Sequence, residues 1–215
     1  MNEMIILRHA ETRSNQLGIL QGQQDPDGFL LGSTIKKVIR LGKFLTENRD
    51  LSKYPLYTSP LRRCILTLDI LKDFLKFRSI GTLLGLKERY YGKWEGKNWS
   101  EIKKSFSWKI YNKMKYYYRP GGGESYHDLI KRTDCTLDNI LCLAWNYIAE
   151  SGCIIMAHQT INAILISLLF DLSYKESYRM DNYDVVIVKD VLSGSKAQRL
   201  YVAKETEGYI HRRLI

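Results

Sequence analysis

Two apolar runs in this sequence stop abruptly at a histidine. Met4 to Leu7 ends at Arg8-His9, and Cys153 to Ala157 ends at His158. Runs of this length bounded by polar residues read as buried strands. A third strand, Tyr54 to Thr58, leads through Ser59-Pro60 to Arg62-Arg63. Guanidinium forks bind phosphate oxygens in pairs, and imidazole can accept a phosphoryl group and release it near neutral pH. In open α/β sheets ligands sit beyond the carboxyl ends of the strands, where loops enter helix N-termini. Three strand exits carrying these groups describe a phosphate pocket.

The elements that must position them follow from periodicity. Apolar residues at three- and four-residue spacing predict helices over Gly32 to Leu45, over Leu61 to Leu75, over Glu124 to Ala149 and over Ile161 to Phe170. Ser59-Pro60 has the form of a helix start, serine as cap and proline in the first turn. Residues 80–85 read as another short strand. Val185 to Val188 and Leu200 to Ala203 flank a turn-rich LSGS at 192–195 and predict a terminal antiparallel hairpin. Strands alternating with helices imply a three-layer α/β/α sandwich whose sheet is mostly parallel with an antiparallel edge. Residues 86–123, rich in Tyr, Trp, Lys and Gly, read as a cap inserted into a single domain spanning 1–215, with helices around 99–118.

Composition narrows the class. The chain has 215 residues, 45% hydrophobic and 26% charged, as an ordinary globular protein does. Its apolar stretches are too short to span a bilayer, which takes ~20 residues. The N-terminus lacks the long apolar region and cleavage site of a signal peptide, so a cytoplasmic location is expected. Cys64, Cys135, Cys142 and Cys153 form no C-x-x-C pair and lie near no paired histidines, so no metal site is expected and the thiols should be reduced and mostly buried. The net charge of +10 favours anionic partners. The basic residues, Lys36, Lys72, Lys131 and Arg132 among them, nevertheless sit at amphipathic spacing and read as solvated helix faces. Nucleic acid is therefore not the expected partner.

LRHAETRSN at 7–15, TSPLRRC at 58–64, LKERYYGKWEG at 86–96, PGGGES at 120–125 and AHQTIN at 157–162 together resemble the ordered signatures of the histidine phosphatase superfamily, the phosphoglycerate mutase-like group. The resemblance implies that fold, and it implies roles. His9 matches the nucleophile that forms a phosphohistidine, and Arg8 a phosphate ligand. The family's spacing selects Arg63 as the second arginine, so that Arg62 would point elsewhere. Asn15 matches the residue closing the phosphate loop, His158 the second imidazole and Glu88 the proton donor, while Tyr91 and Gln21-Gly22 match positions on the substrate side. Two departures stand out. Ala10 replaces the commoner glycine, which matters only if the backbone there needs positive φ. Gln159 replaces the glycine that often follows the second histidine, and would narrow the pocket or touch substrate. His127 and His211 have no motif and read as surface residues.

The resemblance implies a phosphomonoesterase acting on a small phosphorylated metabolite, with no metal or other cofactor. Mutases of the group carry a long insertion after the glutamate motif, whereas the interval from Gly96 to Gly121 is short here, which favours water as acceptor. The alternatives are mutase-type phosphoryl transfer, a phosphatase for phosphohistidine or other phosphoproteins, and a protein that only binds phosphate or nucleic acid. The oligomeric state is open, a homodimer included.

Overall fold

The computed structural model describes residues 2–25, 33–47, 49–173 and 179–192, and the backbone of 199–206 and 209–214. Seven strands form one sheet: β1 (Glu3–Arg8), β2 (Pro55–Thr58), β3 (Ser79–Thr82), β4 (Gly152–Ala157), β5 (Val185–Lys189), β6 (Arg199–Thr206) and β7 (Tyr209–Leu214). Their order is β3-β2-β4-β1-β5-β6-β7. The first four are mutually parallel, and β5, β6 and β7 continue as an antiparallel edge. The helices are α1 (Arg13–Gln16), α2 (Ser33–Thr46), α3 (Arg62–Leu71), α4 (Trp99–Lys104), α5 (Phe106–Lys113), α6 (Tyr126–Glu150) and α7 (Gln159–Phe170).

Alternation along the central strands sorts the core into two layers. Ile5 and Leu7 of β1, with Ile154 and Met156 of β4, pack with Val38 and Leu41 of α2 and Leu68 and Leu71 of α3. Met4, Ile6 and Ile155 point the other way, toward Leu137 and Ile140 of α6 and Ile161 and Leu165 of α7. This is the three-layer α/β/α sandwich that alternating strands and helices imply. Residues 84–123 carry α4, α5 and short 3₁₀ turns, and their aromatic side chains join the second layer. The triple glycine closes that segment by close backbone approach: a Cβ on Gly123 would stand 2.2 Å from the Tyr90 carbonyl oxygen.

Several sequence expectations change. The helix after β2 begins at Arg62, and its N-cap is Leu61 with no side-chain cap bond. Ser59 lies two residues before that N-cap, and its hydroxyl both accepts from the Leu61 amide at 3.3 Å and meets His158 Nε2 at 2.8 Å. Tyr209–Leu214, to which periodicity assigned no element, form β7 at the sheet edge. Cys64 and Cys153 are buried, but Cys135 and Cys142 are exposed on α6. Arg132 is half-buried and bonded to a neighbouring loop, unlike the exposed Lys36, Lys72 and Lys131. Gly32, most of the LSGS turn and the side chain of His211 lie outside the described residues. Among the described residues no helix is long and apolar enough to cross a membrane.

At the amino end of β1, away from the strand exits, buried Glu3 accepts bonds from Arg49 Nε at 2.7 Å and the Tyr54 hydroxyl at 2.9 Å. Removing one partner of a buried carboxylate leaves it underbonded. Arg49→Ala should therefore lower the unfolding free energy in urea by about 1.5–3 kcal/mol.

Candidate active site

Parallel register brings the strand exits together. Arg8 pairs with Ala157, and Thr58 with Met156. The ladder runs one residue further on each side, with His9 N–H donating to the Ala157 carbonyl at 3.2 Å and Ser59 N–H to that of Met156 at 3.0 Å. His9 and His158 thus meet with ring centroids 5.1 Å apart.

Each imidazole is held in a defined state. His9 Nδ1 lies 2.7 Å from the Ala10 carbonyl oxygen. A carbonyl can only accept, so Nδ1 carries the proton and Nε2 keeps a free lone pair. Burial holds the His9 pKa well below the ordinary value, and the Arg63 and Arg8 guanidiniums depress it further against the opposing Ala10 bond. His158 Nδ1 accepts from Arg63 Nε at 3.2 Å, which leaves Nε2–H to donate to Ser59 Oγ at 2.8 Å. Its pKa is also driven well below the ordinary value, first by burial and then by Arg63.

The arginines are oriented mostly by carbonyls. Arg8 Nη1 donates to the Met180 carbonyl at 2.9 Å, and its buried Nε has no partner among the described residues. Arg63 donates from Nη2 to Gly22 O at 2.7 Å, and from Nη1 to Gln24 O at 2.9 Å and Asp25 Oδ1 at 2.6 Å. Arg62 is exposed, as its place in the motif implies. Gly22 makes the tight approach possible. Its φ is +56°, and a Cβ there would overlap the Glu95 carboxylate. Glu95 in turn accepts from the Gln23 and Tyr91 amides, both at 2.9 Å.

Arg8, His9, Arg63 and Glu88 line one cavity of about 90 Å³, together with Asn15, Gln21, Gly22, Tyr91 and Gln159. Of the residues expected from the sequence to form the site, His158 alone is not on that wall; it lies fully buried against His9. Asn15 Oδ1 is taken by Thr12 in a capping box at α1, so its amide donors are what it can offer a ligand. Gln21 is fixed by Nε2 donating to Thr12 Oγ1 at 2.8 Å. Gln159 donates to the same Met180 carbonyl as Arg8, at 3.2 Å, which fixes its amide beside that arginine. Ala10 has no positive φ, so the missing glycine costs the backbone nothing.

Glu88 is no surface partner of Arg89, because Arg89 is fully buried among tyrosine rings. Its Oε1 accepts from the Arg89 amide at 2.7 Å and its Oε2 from the Thr160 amide, in the first turn of α7, at 3.3 Å. The loop that carries it is clamped from α6: Arg132 donates to the carbonyls of Gly85 at 2.6 Å and Lys87 at 3.0 Å, while its Nε pairs with Glu124 at 2.8 Å.

Sequence reasoning missed Ser59, Asp25, Arg132, and the Met180 to Tyr183 segment, where Asn182 Nδ2 donates to the His9 carbonyl at 2.8 Å. Ser59 lies within the TSPLRRC motif and Asp25 shortly after Gln21-Gly22, but the others carry no local signal.

A neutral imidazole with a free nitrogen, two guanidiniums and a carboxylate around one small cavity can hold a tetrahedral oxyanion and attack it. That chemistry belongs to phosphoryl-handling α/β proteins. The chain is a member of the histidine phosphatase superfamily, branch 1, whose family model matches residues 4–201. It is 24% identical over 206 residues to 6-phosphofructo-2-kinase/fructose-2,6-bisphosphatase 3 of Bos taurus, covering 94% of this chain and 41% of that protein. It therefore spans less than half the length of that curated relative. A 2,3-bisphosphoglycerate-dependent phosphoglycerate mutase of Rhodococcus jostii is 33% identical over 105 residues, 48% of this chain and 41% of the relative. Among solved structures, the fold is similar to the alpha-ribazole phosphatase from Shigella flexneri, with a TM-score of 0.71 and 17% identity over 99% of this chain and 95% of that one. It is likewise similar to a mycobacterial glucosyl-3-phosphoglycerate phosphatase, with a TM-score of 0.74 and 19% identity over 100% and 98%. These are phosphoglycerate mutase-like folds, as the motifs imply.

Two outcomes follow from this geometry. Both histidines are neutral in the fold but protonate near pH 6.5 when unfolded. Their contribution to stability is thus complete above about pH 6.5 and is lost as the pH falls toward their depressed folded values, by up to about 1.4 kcal/mol per pH unit for each. Urea unfolding at pH 7, 6 and 5 should show this loss, and His158→Asn should shallow it; equal stability at all three would contradict the assignment. Arg132→Ala, which frees the Glu88 loop, should lower kcat about tenfold or more with KM little changed, and Arg132→Lys should restore only part of it.

Proposed function

We propose that the chain is a phosphomonoesterase that hydrolyses a small phosphorylated metabolite through a phosphohistidine at His9, without a metal ion. The observation that carries this reading is the His9 ring itself: Nδ1–H is bonded to the Ala10 carbonyl, and Nε2 is unprotonated in a cavity walled by Arg8 and Arg63. In the first step the Nε2 lone pair forms the N–P bond as the ester P–O bond breaks. Glu88, entering as the acid, gives its proton to the departing alkoxide. In the second step the Glu88 carboxylate takes a proton from water, the water oxygen bonds to phosphorus and the N–P bond breaks. Phosphate leaves, and His9 and Glu88 return to their starting states.

Arg8 and Arg63 supply the positive charge that metal ions provide in other phosphoryl-transfer sites. His158 reaches the phosphoryl group through its neighbours, abutting His9 and holding Arg63 by Nε. The phosphatase names of several relatives support this reading. The short interval from Gly96 to Gly121 supports water as acceptor over a second phosphorylated metabolite.

With EDTA present, the wild type should hydrolyse p-nitrophenyl phosphate and yield a phosphohistidine on alkaline quenching, detected by mass spectrometry. His9→Ala should lose the adduct and about 10³-fold or more of the rate. Release of product with no adduct at His9, or an active His9→Ala, would overturn the mechanism.

A further inference from the structure

A second cavity, of about 130 Å³, adjoins the phosphate site, and the two share Tyr91, Trp99, Gln159 and Thr160. Its other walls include the rings of Trp108, Tyr111 and Tyr126. These rings are locked to one another. Trp99 stands edge-on to Tyr91 at 6.2 Å and to Trp108 at 6.0 Å, and Trp108 lies 5.1 Å from Tyr111. Behind them Arg89, fully buried, faces the Tyr126 ring at 4.3 Å and the Tyr91 ring at 5.0 Å, and its Nη1 donates to the Tyr111 hydroxyl at 3.3 Å. The aromatic wall is therefore set before anything binds, which reduces the ordering cost of binding.

Two cations, Lys115 and the exposed Arg179, also line this cavity. Neither forms an ion pair among the described residues, and the Lys115 ammonium lies 5.8 Å from the Tyr111 ring and 6.0 Å from the Tyr126 ring of the wall. The phosphoryl group is matched by Arg8 and Arg63, and ring faces orient a cation without neutralising it, so Lys115 and Arg179 are placed to meet a second anionic group on the ligand. Size sets a further limit, because a cavity of ~150 Å³ is known to hold benzene. One six-membered ring fits between these walls.

We infer that the substrate is a phosphomonoester whose leaving group carries a single aromatic ring with an acidic substituent. The phosphoryl group sits at His9, the ring among Tyr91, Trp99 and Trp108, and the acid toward Lys115 and Arg179. The inference rests on the phosphatase reading and adds the substrate class to it. Aromatic pairs favour edge-on and offset contacts beyond what apolar burial alone supplies, which separates an aryl group from an alkyl group of equal size.

The test compares substrates with matched leaving groups, benzyl phosphate and cyclohexylmethyl phosphate, both esters of primary alcohols. Wild-type kcat/KM should favour benzyl phosphate by about tenfold. Addition of a carboxylate, as 4-carboxybenzyl phosphate, should raise kcat/KM by about three- to fivefold over benzyl phosphate, and Lys115→Met with Arg179→Met should erase that gain. Equal rates for the benzyl and cyclohexylmethyl esters would overturn the aromatic assignment while leaving the phosphatase intact. No gain from the carboxylate would overturn the acidic substituent. Failure to hydrolyse any of the three, with no phosphohistidine formed, would instead remove the phosphatase reading on which the inference stands.

Discussion

The parallel pairing of β1 with β4 sets Arg8 opposite Ala157, and the next residue on each strand is a histidine. The His9 amide still bonds to the Ala157 carbonyl, so His9 sits on the last rung of the ladder and shares the rigidity of the sheet. A slip of one residue would separate the two rings and send Ile5 and Leu7 into the opposite helical layer. Both layers are built around the present alternation, with Ile5 against α2 and α3 and Ile6 against α6 and α7. The cost of repacking both layers holds the register, and the register holds the site.

Charge is the second constraint. Burying guanidiniums is costly unless their protons are satisfied. Arg8 and Arg89 donate to backbone carbonyls and a tyrosine hydroxyl, which orient the group without cancelling its charge, and each keeps one buried nitrogen, Arg8 Nε and Arg89 Nη2, without a partner among the described residues. Arg63 and Arg132 each have a carboxylate partner, Asp25 and Glu124, in addition to their carbonyls. The cavity therefore stays positive and suited to an anion, and burial first, with the same guanidinium field behind it, holds the pKa values of His9 and His158 well below the ordinary value. One arrangement thus favours an anion in the cavity and leaves the His9 Nε2 lone pair unprotonated.

Much of this was legible along the chain. Short apolar runs ending in Arg-His, Ser-Pro and His marked the three strand exits, and helical spacing marked α2, α3, α6 and α7. Ser59 misled because Ser-Pro before a periodic run has the form of a helix start. The signal is local and the hydroxyl does accept from the Leu61 amide, but its second partner, His158, is 99 residues away. Arg132 misled for a related reason. An amphipathic pattern separates polar from apolar faces, but it does not say whether the polar face meets water or the carbonyls of another loop. The β7 strand escaped because an edge strand rich in basic residues lacks the alternation of a half-buried one.

By itself, then, the sequence determined which groups stand at the strand exits, the α/β alternation and the family, because those depend on neighbours along the chain. Only the tertiary structure decided that Met180 and Asn182 steady the first strand exit, that Asp25 and His158 share Arg63, and that an aromatic cavity opens beside the phosphate site. Hydrogen bonds and cavity walls depend on distance in space. The carbonyl of Met180, 172 residues from Arg8, is a group that every residue carries, so no residue type could announce it.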